Sequence, residues 1–500
     1  MTISYWSTIQ YDPSINHSTT RVPSTQYSSD LPFCLNCFAI QFLNFNSGEG
    51  LNSQNEMIWS FFVAFALKMN AIVLLDPVTE WGPVVQAAKQ KNLVAIAVQL
   101  SPIEDRMKKF LPTPEALKEA GVDHVLDLQD RDCYNCVHTL QLLQLEENLS
   151  IQAVIPLAET AVDYSDVIGA MLGLAHHNPL HLATSRRDKG FMKETVQKAG
   201  IRVATFARIQ KVSEIENCIQ QLQLDDDWPI VVKTPQGFSS TDVYICESLN
   251  DAKVAAANIL NSVGPEGRRV SHALIEKYIG GTEFAVNLMA FGEGNLTVTD
   301  VWKYVKTDKA RYSQAENCDP NDAALKHVVE YSKRVAQAVG LRYGAGHVEV
   351  KATRDDGIYV DPCMMEVGAR LSGGRKATMT QAAMGGSWDP FSALIDSHSG
   401  VLPSFPPSFT PKSFVRHLFL PIESAGCIEE VQLDVTALTT LHSRAMIVKK
   451  GDVVKETTDI TSCAGFLWFV GDKKDVAKDT ERALSTFLIT MTGASRLLEK

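Results

Sequence analysis

From Ala71 onward, short apolar runs alternate with helical stretches: "AIVLLD", "WGPVVQAAKQKN", "LVAIAVQL", "TPEALKEAG", "HVLDL", and later "IQAVIPLAE" with a further helix behind it. No other feature of the chain limits its fold so sharply. Strands that are apolar on both faces need cover on both, and helices that join them return the chain in the same direction. The alternation therefore implies a parallel sheet between two helical layers. A dinucleotide-binding domain of that kind carries Gly-x-Gly-x-x-Gly after its first strand, where phosphates meet a helix N-terminus. Here the strand ends at Asp76 instead, which argues against that class.

Four blocks follow from where this pattern starts and stops. Residues 1–69 form an N-terminal extension that opens with the polar, turn-rich "STIQYDPSINHSTTRVPSTQYSSD", and its role is not readable. Residues 70–180 are the α/β domain. Residues 181–398 mix helices and strands without strict alternation. A Pro/Ser/Phe linker, "LPSFPPSFTPKSF", leads into residues 399–500, a strand-rich α+β domain closing on a helix that begins near Asp475. The expected class is α/β and α+β, multi-domain. At 500 residues the chain is long enough for several cores with clefts between them.

Charge and composition remove other classes. A net charge of -11 argues against general binding to a nucleic-acid backbone, which rests on accumulated Lys and Arg, but leaves room for a small anion in a local cationic pocket. The most apolar stretch, residues 57–76, is interrupted by Lys68 and Asn70, and its second half reads as a strand, so no membrane span is expected. The N-terminus shows no secretory pattern, and a cytoplasmic protein is expected. A homodimer is one assembly open to it. Two Cys-x-x-Cys pairs, Cys34/Cys37 and Cys133/Cys136, together offer four thiolates for zinc, but the long gap between them makes reduced, unrelated thiols the expectation.

Chemistry-bearing residues concentrate in the third block. Lys189 begins a helix, and Lys233 ends the strand "PIVVK". The small-residue loop after Lys233, with Gly237, Ser239, Ser240 and Thr241, presents donors suited to phosphates. In "LIEKYIGGTEF", Glu276 followed by the backbone of Tyr278 and Ile279 suits an adenine edge, and Glu283 a ribose; the plain alternative is a hairpin turning at Gly280 and Gly281. His347, Glu349 and Lys351 alternate in "GAGHVEVKA" and so share one face of a strand. A second strand, Ile358 to Val360, leads towards Glu366. Two carboxylates on neighbouring strands repel unless a cation lies between them, and Mg²⁺ fits that need. Arg370, four residues after Glu366, suits the oxygens of a carboxylate or phosphoryl group, and Gly373 and Gly374 permit close backbone approach.

The order "RRDKGFM", "PIVVKTPQGFSS", "IEKYIGGTEF", "HVEVK", "MEVGARLSGGR" resembles the ATP-grasp superfamily over roughly residues 71–400, and within it the ligases that join two amino acids, of the bacilysin-synthetase and carnosine-synthase type. That resemblance implies an ATP-grasp fold, in which an N-terminal α/β domain precedes two subdomains that grip ATP. It implies Lys189 and Lys233 on phosphates, and Glu276, Tyr278 and Ile279 on adenine. It further implies Glu283 on ribose, Glu349 and Glu366 on Mg²⁺ (which Mn²⁺ can replace), and Arg370 on an acyl phosphate. Many relatives carry Asn two residues after the second metal ligand. This chain has Gly368 there, which leaves open whether one metal binds or two.

The implied activity is carboxylate–amine ligation: a carboxylate takes the γ-phosphoryl group of ATP, and an amine then displaces phosphate to leave an amide and ADP. The substrates would be small molecules, amino acids in particular. His347 would orient substrate or act as a base, although a strand histidine beside charged groups is more often a structural partner. The alternatives are an ATP-grasp carboxylase, a purine-pathway ligase, or a nucleotide-binding protein without catalysis.

Overall fold

The computed structural model describes residues 68–102, 111–237, 242–264, 267, 269–307, 312–402, 406 and 408–492. The alternating region forms a four-stranded parallel sheet from β1 (Met69–Leu75), β2 (Val94–Gln99), β3 (His124–Asp127) and β4 (Leu149–Pro156), in the order β3-β2-β1-β4. Ala71 to Leu75 have no exposed surface, as expected of a strand covered on both faces. One of the connecting helices, Cys133–Glu146, was not expected. Its apolar residues are scattered around it, with Cys136 and Leu140 buried but Tyr134 and Leu145 exposed, so the sequence shows no clear stripe.

A second four-stranded sheet, antiparallel, comprises β5 (Phe206–Ile209), β6 (Ile230–Lys233), β7 (Val243–Cys246) and β8 (Ala273–Lys277) in the order β5-β8-β6-β7. Its core is shared with the helices Ile215–Gln221 and Leu249–Asn261. The remaining strands are β9 (Thr282–Phe291), β10 (Leu296–Lys306), β11 (Tyr312–Cys318), β12 (Tyr343–Asp355), β13 (Ile358–Gly368), β14 (Phe414–Leu420), β15 (Gly426–Gln432), β16 (Leu441–Met446), β17 (Val453–Val454), β18 (Gly465–Gly471) and β19 (Leu488–Thr492). Most of them join one eight-stranded sheet, β13-β12-β9-β10-β11-β14-β18-β16, while β17-β15-β19 stand apart. Because β14 pairs with β11, strands from the last block extend the sheet that carries Glu349 and Glu366.

Three local expectations are corrected. The segments around Gly280 and Gly281 are not neighbouring strands of a hairpin, since β8 and β9 lie in different sheets. Gly281 has φ +98°, and a Cβ there would meet the Ala352 carbonyl oxygen at 2.5 Å; the glycine lets the chain cross from one sheet to the next against β12. The strand expected to end at Val360 runs on to Gly368, with register shifts opposite Val350 and Thr353, so Glu366 lies within it. Pro362 concealed this continuity. Proline is tolerated there because β13 is an edge strand. The C-terminal helix, Lys473–Thr486, is followed by a strand, β19, rather than closing the fold.

Candidate active site

The β12/β13 ladder places Glu349 directly opposite Glu366 and His347 opposite Gly368. Cross-strand partners on one face stand close enough to interact, so the two carboxylates form a pair. His347 holds one member: its Nε2 lies 3.2 Å from Glu349 Oε1, and its Nδ1 lies 2.8 Å from Asn287 Oδ1. Asn287 in turn donates to the buried Asp300, which also accepts from Thr299 Oγ1 at 2.8 Å. The structure therefore ties His347 to Glu349 as an orienting partner through a chain of buried hydrogen bonds.

Glu366 is held from the other side. Lys189 Nζ sits 2.8 Å from Glu366 Oε2 and donates to the Gly237 carbonyl at 2.6 Å. Burial would push the Glu366 carboxyl up, but Lys189, and then Lys233 and His347, hold it far below its usual range, so it is ionised at neutral pH. Lys189 is the first residue of the helix Lys189–Lys198, whose N-cap Asp188 accepts from the backbone of Gly190 and Phe191.

A second cluster surrounds Glu276. Its Oε2 lies 3.0 Å from Lys233 Nζ and 3.3 Å from Lys193 Nζ, and all three side chains are buried. Burial would raise the Glu276 carboxyl, yet the two ammonium groups hold it below normal, while burial lowers Lys193. Oε1 of Glu276 has no hydrogen-bond partner among the described residues. Lys193 was not anticipated. The signal was its place one helical turn after Lys189 in "KGFMK", which puts both ammonium groups on one face.

Glu283 accepts from Lys306 Nζ at 2.8 Å and Tyr312 Oη at 2.7 Å. Lys351 donates to the Ile279 carbonyl at 2.9 Å and lies over the Tyr278 ring, fixing the segment between β8 and β9. Ser239, Ser240 and Thr241 lie outside the described residues.

Arg370 pairs with Glu159, not with Glu366: its Nε is 2.7 Å from Glu159 Oε2, and it also donates to the Leu371 carbonyl at 2.8 Å. Glu159 follows β4, so this ion pair ties the parallel sheet to the eight-stranded one. Sequence reading missed Glu159, because nothing local distinguishes the acid ending "IPLAE". The pair also accounts for Gly368. A Cβ there would lie 3.2 Å from Glu159 Oε2, tighter than an ordinary contact, so glycine leaves the pair its space.

Glu349, Glu366 and Arg370 open onto a cavity of about 420 Å³. One wall comes from the loops that leave the carboxyl ends of β1, β2 and β4, through Glu80, Ser101 and Thr160, the usual position for ligands on open parallel sheets. Asp76 knits that wall together, accepting from the backbone of Leu100 and Ser101 and from Thr160 Oγ1. Gly373, Gly374, Arg375 and Lys376 form a second wall. A third, apolar wall comes from β14, β18 and their neighbours.

Cys133 and Cys136 do not line this cavity. Burial pushes the Cys133 and Cys136 thiols up to about 11 and about 12, so both are protonated at neutral pH. Cys34 and Cys37 lie outside the described residues. Among the described residues, no group of three or more His, Cys, Asp or Glu could hold a metal by itself.

Comparison with known proteins places this geometry. Residues 227–378 match an ATP-grasp domain. The chain is similar to dapdiamide A synthase of Enterobacter agglomerans, 25% identical over 68% of this chain and 80% of that protein. It is also similar to the L-arginine-specific L-amino acid ligase of Bacillus subtilis, 26% identical over 35% of this chain and 42% of that one. The crystal structure of an L-amino acid ligase from Bacillus licheniformis superposes with a TM-score of 0.68, covering 86% of this chain and all of that one at 15% identity, which establishes a common fold. The fold is that of the ATP-grasp enzymes.

Proposed function

We propose, starting from a chain that is an ATP-grasp enzyme forming carbon–nitrogen bonds, that it joins the carboxylate of one amino acid to the amine of another through an acyl phosphate, releasing ADP and phosphate. The observation that carries the reading is the position of Glu366. It faces Glu349 across a strand ladder, is clamped by Lys189 on one side, and lines the cavity with Arg370 on the other. A phosphoryl group delivered along the lysines would arrive where a carboxylate in the cavity can meet it.

Glu349 and Glu366 fit Mg²⁺ or Mn²⁺, since such an ion takes one or two carboxylates and completes its shell with phosphate oxygens and water, and needs no third protein ligand. When bound, the metal supplies charge neutralisation on the transferring phosphoryl group. Lys189 and Lys233 would bind phosphate oxygens. Oε1 of Glu276 suits the exocyclic amino group of adenine, beside the Tyr278–Ile279 backbone, and Glu283 suits a ribose hydroxyl. The attacking carboxylate forms a bond to the γ-phosphorus as the bond to ADP breaks. The amine then adds to the acyl carbon, loses a proton, and phosphate departs. Arg370, held by Glu159, is placed to steady the charged oxygens of the acyl phosphate and of the adduct that follows. His347 acts through Glu349 in this scheme, as a positioning residue.

The space that Gly368 leaves for the Glu159–Arg370 pair gives this glycine a reason within a catalytic site. A cytoplasmic setting and dipeptide products belong to the same proposal. Screening pairs of amino acids for ATP-dependent phosphate release, with mass spectrometry of the products, tests it. The expected result is a condensed product and ADP for at least one pair, whereas ATP turnover that depends on bicarbonate or on a ribonucleotide amine would point to a different ligase.

A further inference from the structure

The apolar wall of the cavity contains a histidine that nothing in the proposed chemistry uses. His417 lies on β14 between its ladder partners Ala315 on β11 and Trp468 on β18. Its ring stacks on Trp468 at 4.7 Å with an interplanar angle of 21°, lies 4.2 Å from the Phe419 ring, and meets Phe466 edge-on at 5.5 Å. It is 1% exposed, lines the cavity, and neither ring nitrogen has a hydrogen-bond partner among the described residues. Burial, reinforced by the nearby Lys376 ammonium, keeps the ring neutral at physiological pH, so it offers one N–H donor and one acceptor.

An unmet buried polar group is costly, and a fold that only needed an aromatic ring here would be served by phenylalanine. The surroundings favour a ligand over a missing internal partner. Trp468 already donates its Nε1–H to the Gly374 carbonyl, and Phe419, Phe466, Ile447 and Ile460 offer no polar side-chain atoms. Gly374 has φ +71°, and a Cβ there would stand 3.0 Å from His417 Cε1, so this glycine keeps the approach to the imidazole open. The acids that line the cavity are engaged elsewhere: Glu80 with Thr378, Asp76 with the loops of the parallel sheet, Glu159 with Arg370, Glu349 with His347 and Glu366 with Lys189. A cationic side chain would find no counter-charge in the aromatic wall.

We propose that His417 is the specificity-determining residue of a side-chain subsite, hydrogen-bonding the neutral polar tip of an amino-acid substrate whose stem packs against Phe419, Phe466 and Trp468. This rests on the ligase reading, and names the substrate class that reading leaves open. A site built around a buried hydrogen bond rejects the analogue lacking that bond more strongly than an apolar pocket rejects a change of size.

The experiment holds alanine as one substrate and varies the other, in each position, through shape-matched pairs: threonine and valine, asparagine and leucine, tyrosine and phenylalanine. Phosphate release gives kcat/KM. The expected result is a preference of about tenfold or more for the polar member of at least one pair, and collapse of that ratio in both His417→Phe and His417→Leu, while turnover of the apolar member stays within about threefold of wild type. An unchanged ratio in the folded variants overturns the proposal and leaves the ligase reading standing. So does a preference for acidic side chains that is lost in Lys376→Met. Loss of all turnover in the folded variants, or failure of both to fold, would make His417 structural. If no amino-acid pair supports ADP release in wild type, the ligase reading falls first and the subsite with it.

Discussion

The two ends of the site are built on opposite principles. At the lysine end three acids are held by lysines: Glu366 by Lys189, Glu276 by Lys193 and Lys233, Glu283 by Lys306. At the far end of the cavity, aromatic rings surround a neutral His417 with neither nitrogen satisfied. Paired charges hold an electrostatic frame in place before a ligand arrives, which suits a constant partner such as a triphosphate. An apolar wall with an unpartnered imidazole suits a partner whose identity must be selected. On the proposed reading, shared chemistry and individual specificity occupy one site without sharing residues.

The sharpest break of that contrast would come from Glu366→Gln, which removes charge at the junction of the two ends. The fold should survive by circular dichroism, and ADP production should fall by about 10³-fold or more. Near-normal ADP production would remove Glu366 from the phosphoryl end altogether.

Next in size is Glu276→Gln. Removing one partner of a buried ion pair leaves its counter-charges uncompensated, so denaturant unfolding should report a loss of about 3–5 kcal/mol. A loss below about 1 kcal/mol would mean that the lysine end is less tightly coupled than its geometry indicates.

Arg370→Lys probes the seam between the ends. ATP affinity should stay within about twofold, while amide formation slows by about 10²-fold, comparable to the loss of one oxyanion donor. Equal weakening of both would place Arg370 with the nucleotide instead.

The smallest effect concerns Lys376 beside His417. Burial, partly offset by Glu349, lowers its ammonium from 10.5 to about 8. Because the folded state sheds this proton more readily than the unfolded chain, stability gained through Lys376 rises as pH climbs from about 8 towards 10.5. Wild type should therefore gain stability relative to Lys376→Met across that window in parallel melts, and a constant difference would show that the amine is not desolvated.

What the sequence revealed follows the same division. The parallel sheet was legible because strands buried on both faces leave continuous apolar runs, as in "AIVLLD". The carboxylate pair was legible because a period of two puts His347, Glu349 and Lys351 on one face. Glu159 and His417 were not, since each becomes notable only through residues distant in sequence: Glu159 through Arg370, and His417 through Trp468 and Phe466. The run of β13 through Pro362 was hidden for a related reason. Whether proline interrupts a strand depends on the strand being at a sheet edge, a property of the assembled sheet and not of the segment.

The central claim, that a carboxylate is activated by phosphoryl transfer and then captured by an amine, is tested most directly by an isotope. An amino-acid substrate carrying ¹⁸O in its carboxylate is turned over with ATP, and the phosphate released is analysed by mass spectrometry. Attack of the carboxylate on the γ-phosphorus carries one labelled oxygen into phosphate and leaves the other in the amide carbonyl. The account predicts labelled phosphate in proportion to amide formed. Amide formation with unlabelled phosphate, or with the label in AMP, would contradict it.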